Sequence, residues 1–139
     1  MEKMEGWWRL LILDTSVLVD LLRGDKDIEQ RIRGCEERRE PLRTTSISSF
    51  ELYYGAYNSS MVEENLSLVA DLLRALDVLE FDEKASKIAG SILVELRKED
   101  REIGLRDLFI AAVALSVDET VATRDKAFEK VRGLKVEFW

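Results

Sequence analysis

Four consecutive apolar residues, Leu10 to Leu13, run directly into an acid, Asp14. So short a run lacks the alternation of a strand with one wet face, and it reads as a strand covered on both sides. A strand of that kind needs helices above and below it, and the chain supplies them. Val17 to Leu22, stopped by Gly24, reads as a short helix. Asp27 to Glu40, with Ile28 and Ile32 as its apolar positions, reads as an exposed one. Leu42 to Ile47 follows the only proline, Pro41, and predicts a second strand, with a helical pattern from Ser48 through Phe50, Leu52 and Tyr53 to Gly55. Met61 to Leu76 repeats apolar residues at helical spacing, and Val78 to Phe81 reads as a strand. Asp82 to Arg101 follows as a longer helix with Ala85, Ile88, Ala89, Ile92, Leu93 and Leu96 on one side. Leu108 to Leu115 predicts a buried helix, Glu119 to Thr123 a strand, Lys126 the start of a helical turn, and Leu134 to Phe138 a last strand.

Strands alternating with helices, with few tight-turn signals, predict the α/β class: a three-layer α/β/α sandwich around a mostly parallel sheet. No repeat, low-complexity tract or Gly/Ser linker divides the 139 residues, so a single domain is expected over 1–139. In open sheets of this kind the functional crevice lies beyond the carboxyl ends of the strands. Asp14 closes the first strand and Asp125 lies just past the late one, so both acids fall where chemistry is expected.

Composition narrows that chemistry. The chain has no histidine, which removes the usual general base, the zinc HExxH sites and every Ser-His or Cys-His pair. It has no GxxxxGK[ST] loop, GxGxxG turn or GxSxG elbow. Cys35 is the only cysteine, so no internal disulfide forms, which fits a reducing cytoplasm. No apolar run approaches the roughly 20 residues of a membrane span, and the opening decapeptide has no apolar core of a secretion signal. The net charge of −7 argues against a nucleic-acid partner at first sight. That argument loses its force where several acids cluster as ligands of divalent cations.

Four acids are candidates for such a cluster: Asp14, Glu51, Asp107 and Asp125. Each also has an ordinary structural reading. Asp14 is placed to cap the helix that follows it, and Ser48 with Glu51 has the spacing of a capping box. Asp107 suits the positive end of the apolar helix, and Asp125 suits a turn. The combination is harder to explain that way, because all four are drawn towards one partly buried end of the sheet. Two carboxylates 4 Å apart repel by about 4 kcal/mol at an effective dielectric near 20. A hard cation such as Mg²⁺ or Mn²⁺ relieves that conflict. One or two such ions can drive phosphodiester hydrolysis without histidine, by activating water and stabilising the leaving oxygen. Ser16 and Thr123 are placed to hydrogen-bond a ligand carboxylate or the attacking water, and Arg106, Arg124 and Lys126 flank the acids as candidate phosphate contacts or ordinary solvated charges.

The segments LILDTSVLVDLLRG, TSISSFELYYGA, IGLRDLFIAAVAL and VATRDKAFEKVRGLKVEFW, in this order and spacing, resemble a PIN domain, specifically the VapC toxins of toxin–antitoxin pairs. The resemblance spans Leu10 to Trp139 and leaves residues 1–9, with Trp7 and Trp8, as an N-terminal extension with no reading beyond packing or an interface. It implies that Asp14, Glu51, Asp107 and Asp125 form the family's acidic quartet, with Thr123 as its hydroxyl residue. It further implies Mg²⁺- or Mn²⁺-dependent endoribonuclease activity on an RNA substrate, dimerisation, and inhibition by a cognate antitoxin protein. Ser16 departs from the family, whose members commonly carry Asn there, and keeps a hydrogen-bonding group.

Two other readings stand beside this one. Mg²⁺-dependent phosphatases also place Asp at the end of a first strand, but their second Asp two residues later is Ser16 here. A PIN-like binding module without activity is the other. For the homodimer, Leu66, Val69, Leu72 and Leu73 of the Met61–Leu76 segment are the candidate interface, with core packing as the alternative.

Overall fold

The computed structural model describes residues 10–139 and consists of one five-stranded sheet with helices on both faces. Trp7 and Trp8 lie outside the described residues. The strands are β1 (Leu11–Leu13), β2 (Leu42–Thr45), β3 (Asp77–Leu79), β4 (Thr120–Thr123) and β5 (Val136–Phe138). Their order across the sheet is β3-β2-β1-β4-β5, and every pairing is parallel. The six α-helices described are α1 (Thr15–Leu22), α2 (Lys26–Glu37), α3 (Ser46–Tyr57), α4 (Val62–Arg74), α5 (Glu83–Lys98) and α6 (Leu105–Val117), with a 3₁₀ turn at Lys126–Lys130. None is long and apolar enough to cross a membrane.

The α/β sandwich expected from the sequence is the one observed, and β1 explains its layering. All three β1 side chains are fully buried. Leu11 and Leu13 pack with Val17, Leu18, Ile28, Leu52, Ala56 and Val69, from α1 to α4. Ile12, one residue out of phase, packs on the other face with Ile110, Ala111 and Ala114 of α6. Helix α5 lies outside α6, its Ala85 and Ala89 against Leu108, Ala112 and Val113.

Strand order makes β1 and β4 neighbours although they are far apart in sequence, because the chain builds outwards from β1 to β3 and then crosses back. The strand ends of β1 and β4 therefore open at the switch in winding direction, where parallel sheets leave a crevice. Asp118 takes a left-handed φ of 55° after α6 and turns the chain straight into β4.

Element boundaries differ from the sequence reading in instructive places. Strand β2 ends at Thr45, not Ile47, because the Thr45 hydroxyl accepts from Ser48 N and starts α3 at Ser46. The Ser48–Glu51 capping box is thus not formed, and Glu51 lies in the second turn of its helix. Helix α6 begins at Leu105 with Gly104 as cap, so Asp107 is inside its first turn and does not precede it. The apolar stripe of α4 belongs to the core. Val69 is buried, and Leu66, Leu72 and Leu73 pack, partly buried, on the same cluster, while Leu68 stays exposed.

Candidate active site

Asp14 is the only acid of the four that is almost wholly buried, at 2% exposure. It lies where β1 passes into α1, and its backbone N donates to Ala122 O of β4 at 3.1 Å. Its Oδ1 caps α1 by accepting from Val17 N at 3.1 Å and also accepts from Ser16 Oγ at 2.7 Å. Its Oδ2 accepts from the buried hydroxyl of Thr123. The capping role is therefore real, and it fixes the carboxylate in place. Among the described residues no lysine or arginine pairs with it, so burial holds its pKa above the usual carboxylate range while these hydrogen bonds pull it down.

Glu51 reaches the same region from α3. Its Oε1 accepts from Thr15 Oγ1 at 2.8 Å, and its Oε2 lies 3.4 Å from Arg106 Nη1. The Thr15 hydroxyl also lies 2.9 Å from Oγ of the buried Ser48, which pins α3 against the start of α1. Asp125 caps the 3₁₀ turn by accepting from Ala127 N at 2.9 Å, while its own N donates to Thr123 Oγ1 at 2.9 Å. Thr123 thus joins two of the acids: its hydroxyl donates to Asp14 and accepts from Asp125 N.

Asp107 reports the electrostatics of the group. Burial, and then the charges of Asp125, Asp14 and Glu51, push its pKa up to about 6. The four acids therefore feel one another, although they come from four separate segments. No three acids among the described residues are gathered tightly enough to hold an ion as they stand. The candidate ligands fit a hard divalent cation: they offer only carboxylate oxygens, and the buried Asp14 carboxylate has no cationic partner among the described residues.

The supporting residues divide. Ser16 Oγ donates to Asp14 and accepts from Arg124 N at 3.1 Å, so it belongs to the site. Arg106 lies on the rim, paired with Glu51. Lys126 is exposed and shares an open recess with Asp125, Arg101 and Lys130. The Arg124 side chain is engaged elsewhere: Nη1 bonds Asp20 at 3.0 Å and Asp25 at 2.7 Å, and Nε donates to Trp139 O at 3.1 Å. It is no free phosphate ligand. Thr15 and Ser48 were missed as site residues, because a hydroxyl beside a helix start reads locally as capping chemistry.

The PIN-domain sequence pattern matches residues 11–134. The chain belongs to the PIN-domain family. Among curated PIN-domain relatives it is 38% identical to Ribonuclease VapC3 of Methanocaldococcus jannaschii over 102 residues, 73% of this chain and 95% of that protein. It is 36% identical to the tRNA(fMet)-specific endonuclease VapC of Shigella flexneri over 96 residues, 68% of this chain and 73% of that one. Among solved structures, the DNA-bound VapBC of Salmonella typhimurium superposes with a TM-score of 0.87 at 30% identity, covering 94% of this chain and 98% of that one.

Proposed function

We propose that this PIN domain is a metal-dependent endoribonuclease and the toxin half of a toxin–antitoxin pair. The observation that carries the nuclease reading is the buried Asp14 carboxylate, which has no cationic partner among the described residues and is one of the charges that raise Asp107. Asp14, Glu51, Asp107 and Asp125 would hold one or two Mg²⁺ or Mn²⁺ ions. The chemistry such ions supply when bound is Lewis acidity, which activates water and offsets charge on a phosphodiester.

The chain's own residues prepare that chemistry. Thr123 and Ser16 fix the Asp14 carboxylate from two sides, and Thr15 fixes Glu51, so little reorganisation is left for the reaction. Arg106 and Lys126 lie beside the acids as cations for the RNA backbone. The names of the VapC relatives, ribonucleases and endonucleases, support RNA as the substrate.

An antitoxin partner is supported by the neighbouring VapBC structures. A recess of about 340 Å³ fits such a partner, lined by Val19, Leu22, Leu52, Ala56, Leu68 and Val69 and reaching the acids at Glu51. An apolar segment seated there would place its next residues at the acids. The homodimer expected for the chain stays part of this proposal, with the packing of Leu66, Leu72 and Leu73 on the chain's own core arguing against α4 as its main face.

The test is cleavage of structured RNA by purified protein. Cutting is expected with Mg²⁺ or Mn²⁺, and loss of cutting with a chelator or with Asp107→Asn. RNA bound but never cut under any metal condition would favour a binding module, and phosphate release from small phosphate esters instead would favour phosphatase chemistry.

A further inference from the structure

Phe50 and Tyr54 are one turn apart on α3, both 55% exposed, with ring centroids 6.2 Å apart and planes inclined by 25°. Tyr57, 67% exposed, extends the same helical stripe. The Arg106 guanidinium lies 5.8 Å from the Phe50 ring centre while its Nη1 pairs with Glu51. Helices α3 and α6 thus each contribute two consecutive residues to one corner. Glu51 and Asp107 belong to the acidic site, and Phe50 and Arg106, one position earlier on each helix, form its rim. Contiguous exposed aromatic surface of this kind marks a binding face.

We propose that Phe50, Tyr54 and Arg106 form a stacking subsite for an unpaired nucleobase of single-stranded RNA, adjacent to the phosphodiester at the acids. The proposal rests on the ribonuclease reading above. Ring faces accept any base, and a planar guanidinium adds a second stacking surface with a charge for the neighbouring phosphate. A phosphodiester held at the acids necessarily carries a nucleotide on each side, and Phe50 directly precedes Glu51. A second copy of the chain is the competing occupant. RNA is favoured because Phe50 and Arg106 each directly precede a candidate site acid, Glu51 and Asp107, so a strand held at those acids passes over them.

The experiment titrates the protein against a short single-stranded RNA carrying 2-aminopurine and 2′-O-methyl groups that block cleavage. Binding is expected to quench the 2-aminopurine, Phe50→Ala to weaken affinity about tenfold, and Phe50→Trp to restore both. The Phe50→Ala penalty should vanish on an otherwise identical RNA made abasic at the probe position. If wild-type protein cuts RNA but its affinity is indifferent to Phe50, the subsite is overturned and the nuclease reading survives. If it neither binds nor cuts RNA, both fall. If Phe50→Ala or Tyr54→Ala halves the solution mass, the stripe is a subunit interface and the subsite is overturned.

Discussion

The Thr123 hydroxyl donates to Asp14 Oδ2 across 109 positions of sequence, tying the end of β4 to the end of β1. Both groups are buried, so water does not replace the donor if it is removed. Thr123→Val keeps the shape and deletes the hydroxyl, leaving Asp14 short of a donor and Asp125 N short of an acceptor. Urea unfolding of Thr123→Val should show a loss of about 1–3 kcal/mol, with Thr123→Ser close to wild type. Equal stability of Thr123→Val and wild type would remove this bond as the element that orients Asp14.

Asp107 gives the metal-free protein a pH dependence of definite sign. Its pKa rises from 3.8 in the unfolded chain to about 6 in the folded one, so the folded state holds a proton that the unfolded state has lost. The resulting stabilisation is complete below pH 3.8 and disappears as pH climbs through about 6. The shift corresponds to about 3 kcal/mol in a dry site, and solvent screening of this half-buried group reduces it to about 1 kcal/mol. Comparing Asp107→Asn with wild type in chelator isolates this contribution. The variant should gain relative stability between pH 4 and pH 7, and a flat difference across that window would contradict the assignment.

The same proton should appear in metal binding. A cation among the acids favours the ionised carboxylate, so binding at pH 6 must expel the proton that Asp107 holds for part of the time. Titration calorimetry with Mg²⁺ in two buffers of different ionisation heat should show proton release at pH 6 and almost none at pH 8. Asp107→Asn should abolish the release. Release that is the same at both pH values would mean that Asp107 is not among the groups the metal engages.

The parts of the site that were legible in the sequence are those fixed locally. An apolar run ending in an acid forces β1 and puts Asp14 at its carboxyl end, whatever else the chain does. Asp107 and Asp125 were legible for the same reason, each beside an apolar segment whose direction is set by the fold. The start of α3 was not, because Ser48-x-x-Glu51 and Thr45-x-x-Ser48 offer equally good local caps. What decides between them is Thr15, which arrives from another helix and takes Ser48 and Glu51 for itself. An amphipathic pattern reports that one face of α4 is buried and says nothing of what buries it. Leu73 shows the consequence.

Leu73 packs on the cluster that contains Leu11, Leu13 and Val69. Leu73→Glu would therefore push a carboxylate into the chain's own core instead of into a subunit contact. The expected outcome for this partly buried position is a loss of about 1–3 kcal/mol in stability, read by urea unfolding. A fully stable Leu73→Glu protein with halved solution mass would restore α4 as an interface.

Arg124 separates a structural cation from phosphate-binding ones. Its guanidinium links Asp20, Asp25 and the Trp139 carbonyl, and the Asp25 carboxylate raises the Arg124 pKa while its own is lowered. Its backbone N meanwhile donates to Ser16 Oγ, which donates to Asp14. Arg124→Ala frees this clamp and leaves two aspartates without their shared partner, which urea unfolding should read as a loss of stability. Arg124→Lys should recover less than half of it, since an ammonium lacks the fork that spans the three acceptors. Binding of RNA should distinguish the cations by salt. Arg106→Ala or Lys126→Ala should each lower the slope of log affinity against log salt by about one, and Arg124→Ala should leave that slope alone. A reduced slope for Arg124→Ala at full stability would return Arg124 to the RNA backbone.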